Sequence, residues 1–332
     1  MTLPTIADRA FEPVRQAIAA ARIPGAVLGI IDTSGQRSVL VAGDAQREPA
    51  QIAMRRETAF DLASLTKVIF TTTAILRLVE QGRLGLDQPL AELIPDLRQY
   101  DLKAPERALT IRQCLSHQTF LPAVEPLYTY GQDPKTLRAF VLQRAWRHGP
   151  PVYSDINFIL LGIVIERVTG LPLGQQPLPA GFSFAPDAKS CAATEFCYWR
   201  ERMLRGEVHD ENAFALGGAS GHAGLFGAVD PVLDFAAAML SGTALAPAMM
   251  AALRTRQSPQ RALGWEIKYH GWSGGGSCSD DTIGHTGFTG TGLWIDFSGG
   301  LAWSLLTNRV HPTRHFDSGI AELRQAVAEA IG

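Results

Sequence analysis

The chain has 332 residues, 46% of them hydrophobic, and its 30 Lys+Arg against 32 Asp+Glu leave a formal net charge of -2. That length buries a large core without disulfide or metal staples, and the near-neutral balance excludes a basic stripe for nucleic acid or an anionic membrane. No stretch reaches the ~20 apolar residues of a membrane span. The four cysteines (Cys114, Cys191, Cys197, Cys278) have neither CxxC nor zinc spacing, so no metal or cofactor is expected, and the partner is a small molecule or peptide.

Residues 1–25 carry charges throughout and lack a basic start followed by an apolar block. The chain as given therefore reads as cytoplasmic, or as periplasmic or secreted if a leader was removed ahead of Met1. Ile6, Ala10, Phe11, Val14 and Ile18 recur at helical spacing and predict a first helix, ended by Pro24-Gly25. Next come "AVLGIID" and "SVLVAG", separated by Thr33-Ser34-Gly35-Gln36, a β-hairpin pattern. From about 46 to 261 helical periodicity dominates: 65–81, 110–117 with Thr110 as cap, 157–169 and 231–240, with Gly82 and Gly170 behind their helices. The strands "LGWEIKY", "TIGHTG", "TGLWIDF" and "LAWSLLTN" follow, then a last helix over 316–331. Strand groups joined by short hairpins cannot make a parallel sheet, which needs a crossover between each pair. The pattern predicts an α+β protein: an antiparallel sheet with flanking terminal helices from 1–45 plus 262–332, and an inserted, mainly helical domain over 46–261.

Three segments could carry chemistry. In "FDLASLTKVIF" Ser64 and Lys67 stand at i and i+3, one face of a helix, where a neighbouring amine can take a serine proton. The competing reading is a capping serine with a solvated lysine. In "PPVYSDINF" Tyr153 and Asp155 lie just before an apolar helix, with Asp155 also a plausible cap. In "IGHTGFTGTG" closely spaced glycines let backbone approach a ligand, beside His285 and Thr286. "GWSGG", centred on Ser273, matches a nucleophile elbow literally but lacks its strand-turn-helix context and reads as a surface loop.

SxxK opening a helix, YSD before another and HTG on a late strand together resemble the class C β-lactamase-like serine hydrolases of the penicillin-binding superfamily. "TIRQCLSH", "GEVHDENAFALGGASGHAGLFG" and "LLTNRVHP" extend the resemblance over nearly the whole chain. It implies a β-lactamase/transpeptidase-like fold with a five-stranded antiparallel sheet, terminal helices on it, and an all-helical insert. It also implies an acyl-enzyme on Ser64, with Lys67 as proton partner and Tyr153 shuttling a proton to the leaving group. The backbone N–H groups of Ser64 and Phe288 would form the oxyanion hole, and His285, Thr286 and Gly287 stand at the family's KTG triplet.

Departures from the pattern bear on substrate. Where the family has a lysine, His285 is mostly neutral at pH 7, which weakens anion binding and predicts poor turnover of a chromogenic cephalosporin. Asp155 stands where asparagine is usual, and an ionised carboxylate there favours the Lys67 ammonium, leaving either Lys67 or Tyr153 as the base. Small esters rank first as substrates. The alternatives are a D-alanyl-D-alanine carboxypeptidase, a β-lactamase, an acyltransferase, and a non-catalytic ligand sensor. The Pro/Gly-rich segment 170–190 predicts a loop edging the pocket. His209 and His222 read as supporting the cleft, and two histidines without a third ligand make no metal site.

Overall fold

The computed structural model describes residues 2–332. Helix α1 (Leu3–Ala19) precedes strands β1 (Gly25–Asp32) and β2 (Arg37–Gln46), then the two-residue strand β3 (Ile52–Ala53). After a long intervening stretch come β4 (Glu266–Ile267), β5 (Ile283–Thr286), β6 (Gly292–Asp296) and β7 (Leu301–Thr307). The order across the sheet is β3-β2-β1-β7-β6-β5-β4, antiparallel throughout, with Ala26 opposite Thr307 and Trp294 opposite Trp303. The sheet thus has seven strands where five were expected. The two extra ones are edge dipeptides, of which Ile52–Ala53 has too few residues to register as a period-2 pattern. "LGWEIKY" pairs over Glu266–Ile267 alone.

Both faces of the sheet are covered, which is why its strands read as nearly continuous apolar runs. Ala26, Leu28, Ile30, Trp294, Trp303 and Leu305 pack against α1 and the C-terminal helix Ile320–Ile331, which starts four residues later than the periodicity suggested. The alternate residues Val27, Ile31, Leu293, Ile295 and Leu306 face the other way, into the core shared with the helices. There Gly29 lets helix Val229–Leu240 approach: a Cβ would sit 2.5 Å from Val229 Cγ2. Ser273 lies on the terminal-helix side, where its Oγ accepts from Trp294 Nε1.

Residues 46–261 are not all helical. Phe60–Asp61 pairs with Phe226–Gly227, which pairs in turn with Phe182–Ser183, and Ala193–Cys197 forms a hairpin with Arg202–Arg205. Segment 170–190 therefore supplies a strand to a small three-stranded sheet rather than a bare loop. That sheet ends directly ahead of Ser64.

Candidate active site

The turn before Ser64 is held from several sides. Asp61, 2% exposed, accepts the Ala63 N–H through Oδ1 at 2.8 Å and the His209 N–H through Oδ2 at 2.6 Å. Burial pushes its carboxyl up, and the two backbone donors pull against that. The Thr289 and Thr291 hydroxyls donate to the carbonyls of Asp61 and Leu62. So clamped, Ala63 takes φ +48°, a conformation costly for a non-glycine residue. The helix that follows is a π-helix over Lys67–Thr72 before it becomes α-helical at Thr73–Glu80. Thr72 donates its hydroxyl to the Lys67 carbonyl and Thr73 to that of Val68, a local solution that widens the turn carrying Lys67.

Ser64 is no helix cap. Its Oγ accepts from Lys67 Nζ at 2.8 Å, and Lys67, fully buried, also donates to Asp155 Oδ1 at 2.9 Å and to the His222 carbonyl at 3.2 Å. Burial alone would lower the ammonium's pKa, but Asp155 and Tyr153 together outweigh it and the net direction is upward. Asp155 is the first residue of helix Asp155–Thr169 and follows its N-cap, Ser154. Its carboxylate serves Lys67 instead of the helix end. Tyr153 lies beside the same ammonium, its ring centroid 4.9 Å from Nζ, and its hydroxyl is within reach of Lys67 and Ser64. Burial raises the phenol's pKa, with Lys67 opposing, so the neutral hydroxyl is the resting form.

The other wall is β5. Gly287 is obligatory: a Cβ would lie 2.6 Å from the Leu62 carbonyl, and that close approach sets the strand end against the turn before Ser64. Among the described residues neither the Ser64 nor the Phe288 N–H has a backbone partner. His285 is 3% exposed, not an open edge residue, and burial near Lys67 and Arg261 drives its pKa well below the usual value. Its Nδ1–H donates to the Thr286 carbonyl at 2.9 Å, so Nε2 is a bare acceptor without a partner. Thr286 is half-buried at the strand end. The Phe288 side chain is 51% exposed at the rim, with Arg309 4.5 Å from its ring.

Ser64, Lys67, Tyr153, Asp155, His285 and Gly287 therefore share one cleft. Four further residues join them that the sequence did not single out for the site: Asp61, His117, Asp210 and Arg261. The His117 ring packs against Tyr153 at 4.6 Å, tilted by 39°, and Arg261 lies 5.2 Å from the same ring. Asp210 hydrogen-bonds His222 Nε2 at 2.8 Å. Asp61, His117 and Asp210 lie inside segments that carried the family resemblance, as does His222, but only folding brings them to Ser64; Arg261 lies outside all of those segments. Asp155, Asp210 and His222 bring three ligand-capable atoms within 4.8 Å of one another, so these residues could hold a cation. The Lys67 ammonium already supplies one there.

A family model described as Beta-lactamase matches residues 9–328. The chain belongs to the Beta-lactamase family. It is 33% identical to an N-acetylmuramyl-L-alanine amidase of Bacillus subtilis, over 88% of this chain and 78% of that one. A putative D-alanyl-D-alanine carboxypeptidase of Escherichia coli is 31% identical over 76% and 70%. A class C β-lactamase structure shares the fold, with a TM-score of 0.75, 17% identity and 98% of each chain covered. Members of this Beta-lactamase family are serine hydrolases. Among the described residues no helix is long and apolar enough to cross a membrane.

Proposed function

We propose that the protein is a serine amidase that acylates Ser64 and cleaves cell-wall-type conjugates such as N-acetylmuramyl-L-alanine or D-alanyl-D-alanine peptides. The observation that carries this reading is the proton inventory at Ser64: an ammonium at Lys67, a carboxylate at Asp155 and an un-ionised Tyr153 phenol. The three Lys67 protons are engaged by Ser64, Asp155 and the His222 carbonyl, so Lys67 acts as a fixed positive charge. Tyr153 is then the relay. As Ser64 Oγ attacks the carbonyl carbon, its proton moves to the Tyr153 oxygen and the phenolic proton passes to the leaving nitrogen. The C–N bond breaks, an ester forms on Ser64, and the amine departs neutral. Water reverses the relay: its proton goes to Tyr153, the tyrosine proton returns to Ser64, and the acid is released. The Ser64 and Phe288 N–H groups take the oxyanion. Amides need such a relay more than esters do, because an amine leaves poorly until protonated.

The neutral His285 favours a second reading, hydrolysis of uncharged esters through the same acyl-enzyme. Fluorophosphonate labelling with peptide mapping, followed by turnover of N-acetylmuramyl-L-alanine and acyl-D-alanyl-D-alanine peptides, tests the assignment. Labelling at Ser64 with amide turnover that vanishes in Ser64→Ala is expected. Amide turnover that persists in that variant would overturn it.

A further inference from the structure

The loop that carries Phe288 from β5 into β6 is held by the C-terminal helix Ile320–Ile331. Arg324 on that helix is 8% exposed, and its Nη2 donates to the carbonyls of Gly287 and Thr291, 2.8 Å from each. The same two residues close the loop on each other, since the Gly287 N–H donates to the Thr291 carbonyl at 2.8 Å. A buried guanidinium ordinarily needs an acid beside it. Here the acid whose charge reaches Arg324, Glu266, is paired with Arg261, and burial together with Arg309 pushes the Arg324 pKa down to about 9. It is still a cation at neutral pH, and two carbonyls of the loop receive its charge.

The Gly287 carbonyl belongs to the same peptide group as the Phe288 N–H, so electron density drawn towards that oxygen leaves the N–H a stronger donor. A charged donor draws more than a neutral one. In a trans peptide the N–H points opposite to the C=O, so a carbonyl anchored on the helix also aims the N–H away from it. We infer that Arg324 is a positioning residue for the oxyanion hole, aiming and polarising the Gly287–Phe288 peptide from the C-terminal helix. The inference rests on reading the Phe288 N–H as an oxyanion donor. Arg309 supplies the contrast. Its Nε donates to the Phe288 carbonyl at 2.8 Å, which belongs to the following peptide.

The test loads Ser64 of the full chain with a slowly deacylating p-nitrophenyl ester, carbon-13 labelled at its carbonyl, and reads the acyl carbonyl by infrared difference spectroscopy. In the parent this carbonyl should absorb at lower frequency than in the unfolded acylated chain. Arg324→Gln should move it back upward, Arg324→Lys should lie between, and Arg309→Gln should match the parent. The same weakening should lower kcat by about 10- to 100-fold with KM little changed, less than the loss of a whole donor. An unshifted carbonyl in Arg324→Gln, or an equal shift in Arg309→Gln, overturns the inference, because a merely structural role would loosen the loop alike from either arginine. Failure of the acyl-enzyme reading would show differently, as a parent that never loads at Ser64. The polarisation is then read in the resting protein, from the Phe288 amide resonance of chain labelled with nitrogen-15 phenylalanine and assigned by its loss in Phe288→Leu. That resonance should move in Arg324→Gln, and one that stays in place refutes the role. Should Arg324→Gln not fold, Arg324→Lys carries both readings with the same signs.

Discussion

At Tyr153 the decisive quantity is a proton affinity. Burial keeps the phenol neutral, so Tyr153 can serve only by passing a proton on as it receives one. Tyr153→Phe is thus expected to lower amide kcat/KM by about 10^2- to 10^4-fold, while an activated p-nitrophenyl ester, whose leaving group needs no proton, loses much less. Equal losses on both substrates, measured by steady-state kinetics, would remove the relay. Asp155 acts one bond further back. Its carboxylate lifts the Lys67 pKa, and a raised pKa means the ammonium persists until pH climbs through that value. In Asp155→Asn the ammonium should be lost at lower pH, moving the alkaline limb of the pH-rate profile to lower pH. An alkaline limb that overlays the parent's would detach Asp155 from catalysis. Sequence made Ser64, Lys67 and Tyr153 legible because their chemistry sits in short motifs. Of the two roles the sequence offered Asp155, helix cap or charge partner of Lys67, the structure shows the second, with Ser154 at the N-cap.

Among elements, the turn at 61–63 and the end of β5 are built against each other. A Cβ on Gly287 would stand 2.6 Å from the Leu62 carbonyl and 2.1 Å from Thr291 Oγ1. Gly287→Ala must therefore push β5 away from the nucleophile turn and carry the Phe288 N–H out of line with Ser64. If the Phe288 N–H is an oxyanion donor, as proposed, its loss costs about 10^2- to 10^3-fold in turnover, and the variant should show that drop together with a fall in melting temperature. A stable variant with full kcat would disconnect the strand end from catalysis. Such contacts explain what was readable at this scale. Hairpins and helices announced themselves through period and punctuation: Thr110 does close a capping box with Gln113, and Gly170 sits in the left-handed region at φ +78°. The π-helix at Lys67–Thr72 did not, because its wider turn shares the apolar pattern of an α-helix, and neither did the short strands Ile52–Ala53, Phe60–Asp61, Phe182–Ser183 and Phe226–Gly227, whose pairing partners lie elsewhere in the chain.

For the molecule as a whole, both chain ends meet in the sheet through β1 and β7, a closure legible from hairpins at each end of the sequence. How the far rim of the cleft is tied down was not legible, since it depends on one buried carboxylate. Glu195, on strand Ala193–Cys197, bonds His209 at 2.9 Å, accepts the Arg314 N–H at 2.8 Å and pairs with the Arg314 guanidinium at 2.6 Å. It thereby links the 193–205 hairpin to the segment after β7 and to the residue whose N–H also holds Asp61. Burial would raise its pKa, but the bonds from His209 and Arg314 win and hold it at about 2 against an ordinary 4.5. A depressed carboxylate pKa contributes stability that is complete above the unfolded value and is lost as pH falls towards the folded one. Its share at neutral pH is on the order of 3 kcal/mol. Glu195→Gln should accordingly unfold at lower denaturant concentration at pH 7. The gap between variant and parent should shrink steadily between about pH 4.5 and 2, where the parent's carboxylate protonates. Chemical denaturation followed across that window decides it: a gap that stays constant with pH would mean the glutamate contributes by shape and packing, without the charge that binds the rim to the sheet.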